Sequence, residues 1–264
     1  MIPPGLAVVT GASAGIGREF SVQLAARGHD LLVVARDRAR LQALAAELEG
    51  RFKITVEPFA ADLSREHEIE RLAGRVAAAA DLSLLVNNAG FGTRGTLLEA
   101  DPEGQAQMLR LHTVAPMKLT TVALPILVRR KGGAVINVSS IASFIYSAGN
   151  VNYCATKAYL TTFTEGLAAE LAGTGVQAQA LCPGFTTTEF HQRKAERPSN
   201  LPALMWVSAE RVVRESLRSL DRGGPTICVP GVGYRILVGL IRLMPRGLLG
   251  GLARWRSRFG LERG

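Results

Sequence analysis

The stretch Leu6-Ala7-Val8-Val9-Thr10-Gly11-Ala12-Ser13-Ala14-Gly15-Ile16-Gly17 decides the fold. Four apolar residues run without a charge and stop at a glycine-rich turn, the pattern of a short strand buried on both faces. From residue 16 to residue 27 the apolar positions recur at helical spacing, and Gly28 follows as a helix-ending glycine. A strand entering a helix through Gly11, Gly15 and Gly17 turns tightly, lets a ligand approach its backbone and packs the helix close on the strand. The helix aims its free N–H groups and positive dipole end at that turn, a setting suited to a pyrophosphate. Ser13 and Ile16 lie in the same turn, and Ser13 offers a hydroxyl donor. The spacing is not the common G-x-G-x-x-G, and a tight turn with no ligand is the competing reading. The place of the glycines between the first strand and first helix favours the phosphate.

Outward from the turn, strand and helix patterns alternate. Strands are expected at residues 31–34, 54–59, 84–86, 134–138, 176–181 and 226–229. Helices are expected at 37–49 (stopped by Gly50), 64–80, 102–130, 153–171 and 209–220. This order predicts one Rossmann-type α/β domain, a doubly wound seven-stranded parallel sheet with helices on both faces. The dinucleotide-binding and catalytic domain is placed at residues 1–230, and 231–264 form a basic, apolar C-terminal extension.

Bulk composition narrows the class. The 264 residues suit one large domain rather than two small ones. Cys154, Cys182 and Cys228 are far apart and form no C-x-x-C pair, so neither a disulfide framework nor a metal site is expected. The start of the chain lacks a basic stretch before its apolar run, so a cytoplasmic location is expected. Eleven arginines against three acids between residues 211 and 264 account for eight of the nine net positive charges. A solvated basic tail, a peripheral membrane contact and a nucleic-acid surface all fit such a charge. No nucleic-acid motif accompanies it, and no nucleic-acid partner is expected. The run 234–244 is apolar with interspersed arginines, too short and too charged to span a bilayer.

Two constellations carry chemistry. The second strand ends at Val34-Ala35-Arg36. An acid there hydrogen-bonds the ribose 2′-hydroxyl of NAD, whereas an arginine accommodates the 2′-phosphate of NADP. Arg36 therefore points to NADP (NADPH), although Asp37 follows directly and a shift of one residue reverses the reading. Tyr153 and Lys157 are four apart on one helix face, and an ammonium one turn away favours the phenolate and brings tyrosine toward acid–base work. Ser140 ends the fifth strand, thirteen residues upstream, where its hydroxyl can meet a substrate carbonyl that Tyr153 also touches.

The segments Thr10 to Gly17, Asp62-Leu63, Asn87-Asn88-Ala89-Gly90, Val138-Ser139-Ser140, Tyr153-Cys154-Ala155-Thr156-Lys157 and Pro183-Gly184 occur in this order. With them the sequence resembles the short-chain dehydrogenase/reductase family over nearly its whole length, in particular a bacterial subgroup of largely uncharacterised NADP-dependent reductases. The resemblance implies that Tyr153 is the acid–base, Ser140 orients the carbonyl, and Lys157 lowers the tyrosine pKa and holds the nicotinamide ribose. It implies that Asp62, with Leu63, meets the adenine and that Asn87 lines the cofactor cleft and steadies the central strand. Asn88, Ala89 and Gly90, and then Pro183, Gly184 and Thr186, belong to the cofactor site, with Thr188 on the nicotinamide side. A homodimer or homotetramer built on the helices at 105–130 and 153–171 is also implied.

One position departs from the family. Its fourth catalytic residue is an asparagine, and His112 stands in that place. The family's relay water is held by the main-chain carbonyl there, and Pro116, which has no N–H, leaves the carbonyl of His112 without its helical donor. His112 is then either a structural histidine or a second proton carrier. The segment 185–206, with Phe190, Leu201, Leu204, Met205 and Trp206, reads as a lid, and Phe91, Phe144 and Ile145 as an apolar wall for a lipophilic carbonyl or alcohol substrate. The alternative is a non-catalytic NADP(H)-binding sensor, whose one mark is the altered residue 112.

Arg36 yields a prediction. NADPH binds more tightly than NADH, and Arg36→Asp weakens NADPH about tenfold or more, the loss of one charge-assisted phosphate contact. Fluorescence titration of both cofactors checks this, and equal affinities in the unmutated protein overturn it.

Overall fold

The computed structural model describes residues 2–92, 95–187, 205–245 and 247. Seven parallel strands form the main sheet in the order β3-β2-β1-β4-β5-β6-β9. They are β1 (Leu6–Thr10), β2 (Asp30–Ala35), β3 (Val56–Ala60), β4 (Leu82–Asn87), β5 (Ala134–Val138), β6 (Gln177–Leu181) and β9 (Ile227–Cys228). The central strands β1, β4 and β5 are buried at every position, because helices cover both faces. Pleating splits each strand between two cores. Ala7 and Val9 of β1 join Phe20, Leu24, Leu41 and Leu48 on one face, while Leu6 and Val8 join Ile69, Leu72, Leu119 and Ile126 on the other. The helices supplying these side chains are α1 (Gly15–Ala25) and α2 (Arg38–Phe52) on the first face, and α3 (Glu66–Ala77) and α5 (Ala115–Arg129) on the second. Strand order reverses between β1 and β4, which pair from Leu6↔Leu82 to Val9↔Val86. A crevice opens at the carboxyl ends of such a pair, the place where doubly wound sheets take their ligands.

Several elements differ from expectation. Helix α2 runs through Gly50 to Phe52, and the left-handed residue that ends it is Lys53 (φ 55°), whose N–H bonds to the Glu49 carbonyl. Strand β3 starts at Val56, and the Thr55 amide before it is taken by the Asp30 carboxylate at 2.7 Å. The expected helix 102–130 is three pieces: α4 (Pro102–Leu109), a π-helical segment Arg110–Val114, and α5. Pro116 cannot donate an N–H, and the wide turn just before it, with Ala115 bonded back to Arg110, absorbs the misfit. A two-residue parallel pair, β7 (Thr186–Thr187) with β8 (Val207–Ser208), holds the two ends of the expected lid. The lid residues from 188 to 204 lie outside the described residues, as do Thr188 and 248–264.

Three further helices complete the fold: α6 (Val151–Glu170), α7 (Ala209–Asp221) and α8 (Val232–Leu243). Helix α8 starts just past the expected boundary at 230. Its Tyr234 and Val238 are buried in the first core.

Candidate active site

The cleft is built on hydrogen bonds between the ends of β1 and β4. Thr10 Oγ1 accepts from the backbone amides of Asn88 (2.9 Å) and Ala89 (3.0 Å) and donates to the Val86 carbonyl at 3.3 Å. Asn88 Nδ2 donates to the carbonyls of Thr10 (2.9 Å) and Gly11 (3.3 Å). Gly11 (φ 68°) and Gly15 (φ 55°) take left-handed turns beside this junction. Gly17 is in the packing seam: a Cβ there would lie 2.2 Å from the Gly11 carbonyl oxygen. Gly17 therefore does not line the cleft, although it was expected among the cofactor residues. Helix α1 begins at the turn with no side-chain cap and no acid in its first turn, whereas α2, α4 and α7 are capped by Asp37, Asp101 and Ser208. The free amides of α1 border a cleft of about 890 Å³, lined among others by Gly11, Ser13, Gly15 and Ile16. An uncapped positive helix end at a glycine cradle fits a dinucleotide pyrophosphate.

The same cleft takes in Arg36, Asp62, Leu63, Asn88, Ala89 and Gly90 at one side and Ser140, Tyr153, Lys157, Pro183, Gly184 and Thr186 at the other. Asn87 does not line it. Its side chain turns into the core, where Nδ2 donates to Asn137 Oδ1 at 2.8 Å and Thr120 Oγ1 at 3.3 Å. Phe91 and Phe185 line the cleft, but Phe144 and Ile145 do not. Phe144 packs on the first core and beneath the Arg242 guanidinium, and Ile145 faces solvent.

At the far end, Arg36 and Asp37 both line the cleft. Asp37 caps α2 by accepting from the Arg40 amide at 3.1 Å and pairs with the Arg40 guanidinium at 3.3 Å. Its carboxylate is committed to its own helix, and Arg36 is the side chain directly after β2. Arg40 also lines the cleft, and sequence reasoning missed it because only the first turn of α2 brings it there. Burial pushes the Asp62 carboxyl up, but hydrogen bonds from Ser64 and the charges of Arg36 and Arg65 outweigh it and hold it low. Asp62 thus stays anionic, with Oδ1 accepting from the Ser64 amide and hydroxyl.

At the near end, β5 and α6 grip each other. Ser139 Oγ donates to the Lys157 carbonyl at 2.8 Å, and Lys157 Nζ donates to the Val138 carbonyl at 2.8 Å. Ser140 caps a short 3-10 turn (Ile141–Phe144), accepting from Ala142, and the Ile141 amide ties that turn to the Pro183 carbonyl. Ser140, Tyr153 and Lys157 thereby face one cavity. Their electrostatics differ from the expected picture. Burial pushes the Tyr153 phenol above its ordinary value, and the neighbouring Ser140 hydroxyl only partly offsets this. Burial also pulls Lys157 down to about 8. Its Nζ lies 5.7 Å from the centre of the Tyr153 ring and gives one of its three protons to the Val138 carbonyl. Desolvation dominates both groups, and Tyr153 holds its proton at neutral pH.

His112, 1% exposed, is a fully engaged bridge. Nε2 accepts from the Phe91 amide at 3.0 Å, so the ring proton is on Nδ1, which meets Thr156 Oγ1 at 3.0 Å. Thr156 passes its own proton to the Tyr153 carbonyl at 2.9 Å. The imidazole therefore joins the loop after β4 to the first turn of α6 and is neutral. A second proton would point at the Phe91 N–H. Burial and the charge of Lys157 hold its pKa well below 6.5. Among the described residues no cluster of side chains is suited to a metal ion, and Cys154, Cys182 and Cys228 are buried.

A glycine turn at the switch point, an open helix end and hydroxyl, phenol and ammonium groups opposite define a doubly wound protein built to seat a dinucleotide. The short chain dehydrogenase profile matches residues 5–199. An uncharacterised oxidoreductase of Myxococcus xanthus is 31% identical over 94% of this chain and 96% of its own length. A very-long-chain 3-oxoacyl-CoA reductase of Coprinopsis cinerea is 35% identical over 70% of this chain, which matches 55% of that protein. Among solved structures, a short-chain dehydrogenase of Sphingobium yanoikuyae in complex with NADPH superposes with a TM-score of 0.82 at 32% identity, covering 94% of this chain and 95% of that one. A bulky-bulky ketone specific alcohol dehydrogenase of Comamonas testosteroni gives 0.79 at 28% identity, covering 95% of each. The chain belongs to the short chain dehydrogenase family of NAD(P)-binding oxidoreductases.

The depressed His112 pKa sets a pH dependence. Folded imidazole binds its proton more weakly than unfolded, so the stability tied to it is complete above pH 6.5 and is lost as pH falls below that. Unfolding free energy should drop below pH 6.5 by up to about 1.4 kcal/mol per pH unit from this one group. Urea denaturation at pH 7, 6 and 5 should show a shallower fall for His112→Asn, and identical slopes would refute the assignment.

Proposed function

We propose that the protein is an NADP(H)-dependent carbonyl reductase or alcohol dehydrogenase for a lipophilic substrate, working through Ser140, Tyr153 and Lys157. The observation that carries this is the convergence of those three side chains on the cleft whose other end holds Arg36. NADPH, when bound, supplies the hydride. The α1 N-terminus with Gly11, Ser13, Gly15 and Ile16 takes the pyrophosphate, Arg36 the 2′-phosphate, and Asp62 the adenosine end. Ser140 Oγ donates a hydrogen bond to the substrate oxygen, and Tyr153 Oη gives that oxygen its proton. The phenol, kept neutral by burial, carries that proton. Lys157 sits one turn below and holds the nicotinamide ribose. Phe91 and Phe185 offer apolar contact. Relatives that act on very-long-chain 3-oxoacyl-CoA and bulky ketones support a lipophilic substrate. The sensor alternative draws no support from His112, whose two ring nitrogens are used in bridging, and a sensor has no use for all three catalytic groups together.

The reading includes a cytoplasmic homodimer or homotetramer. An open, largely apolar groove runs along α6 past Ala155, Ala158, Tyr159, Thr162, Phe163 and Gly166, with the Tyr159 and Phe163 rings stacked at 5.7 Å. Helices paired across a two-fold axis would bury it. Light scattering at micromolar concentration should give a dimer or tetramer mass, and a monomer mass counts against it.

NADPH oxidation with a panel of ketones and aldehydes tests the activity. At least one lipophilic carbonyl should be turned over. Tyr153→Phe should cut turnover by about a hundredfold or more while NADPH affinity stays within a few-fold. Turnover by the variant close to that of the unmutated protein would falsify the role of Tyr153.

A further inference from the structure

Helix α8 has three unlike faces. Tyr234 and Val238 are buried. Val232, Ile236, Leu240 and Leu243 form a stripe on another face, exposed by 60%, 61%, 55% and 83%. Among the described residues, six of the fifteen exposed large apolar side chains fall between Val232 and Met244, a concentration that a solvated helix does not need. Between the buried face and the stripe, about a quarter turn from the latter at 3.6 residues per turn, run Arg235, Gly239 and Arg242. They border a groove of about 770 Å³ that Arg218 of α7 and Arg222 just past its end also line, over a floor that includes Pro225 and Ile227. Two acids reach into it. Glu215 pairs with Arg235 at 3.1 Å, and Glu165 lies 3.8 Å from Arg242. No acid pairs with Arg218 or Arg222 among the described residues. The sequence from 246 to 264 adds five arginines and one acid.

We infer that this face docks on an anionic phospholipid bilayer, with the apolar stripe in the acyl boundary and headgroup phosphates at the arginine groove. Arginines set on the flank of an apolar stripe are the arrangement of a helix lying in a membrane interface, where the stems stay in the apolar layer and the charged ends meet phosphate. Charge argues against a second copy as the occupant, since a two-fold contact brings together two faces of the same net positive charge. The docked helix also carries the rim of the cleft. The Tyr234 hydroxyl accepts from the Phe185 amide at 3.1 Å and donates to the Met205 carbonyl at 2.6 Å, and its ring fills the space that a side chain at Gly184 would need. A substrate dissolved in the bilayer then reaches the cleft without crossing bulk water. That last benefit rests on the proposed reductase activity; the docking does not.

Co-sedimentation of the full chain with vesicles tests the inference. At low salt the protein should pellet with phosphatidylglycerol/phosphatidylcholine vesicles and not with pure phosphatidylcholine, and roughly 0.5 M salt should release it. Ile236→Ser/Leu240→Ser, both on the exposed stripe, should lower partitioning about tenfold or more with NADPH binding unchanged. Arg218→Glu/Arg222→Glu, on the opposite wall of the groove, should do the same. The inference is overturned by failure to bind anionic vesicles, by equal binding to neutral ones, or by stripe variants that bind as before. It is equally overturned if the stripe variants change oligomer mass instead, which would make the face a contact between copies.

Discussion

A single hydroxyl holds the cleft open. Thr10 ends β1, and its Oγ1 gathers two backbone amides from the residues just after β4 while returning its own proton to Val86. The two strands diverge at this point, so backbone groups here have no ladder partner, and buried groups without partners are costly. Thr10 satisfies them, and Asn88 does the same from the other side. With both strand ends set, the glycine turn, the uncapped end of α1 and the 88–91 loop take up their places around one cavity. His112 then joins that loop to α6, and Ser139 joins α6 to β5. Each link fixes one wall of the cleft against the next.

Burial at the near wall costs stability. Lys157 is 6% exposed and its pKa falls from 10.5 to about 8, which at pH 7 corresponds to a penalty on the order of 3 kcal/mol for keeping the ammonium in the fold. The stability is recovered only as pH rises through 8 toward 10.5. The fold carries a charged group it would be more stable without, a pattern expected where function places it.

Local chemistry made much of this legible in sequence. Short apolar runs ending in glycine gave the sheet, because a parallel strand covered on both faces leaves no polar position. Arg36 and the Ser140, Tyr153 and Lys157 set were readable because each sits at the end of a strand or at a fixed helical spacing. What escaped depends on partners far along the chain. Asn87 and Asn88 look alike in sequence, and only Asn137 and Thr120 across the core decide which of them leaves the cleft. Gly17 looks like a ligand contact until the Gly11 carbonyl is seen against it. The upward push of burial on Tyr153 was not legible, because helical spacing shows the nearby ammonium and not the depth of burial. The wide turn at Arg110–Val114 follows from Pro116, whose missing N–H was visible but whose remedy was not.

The place of Tyr234 has a consequence in time. The glycine turn leaves the ribosome well before Tyr234, the side chain that seats Gly184 and Phe185. At about 5–20 residues per second, some ten to forty-five seconds separate Gly11 from Tyr234. During that interval β1 waits in the middle of a sheet whose far edge, β9, does not yet exist. The residues of the phosphate cradle are thus made long before the side chain that completes the pocket.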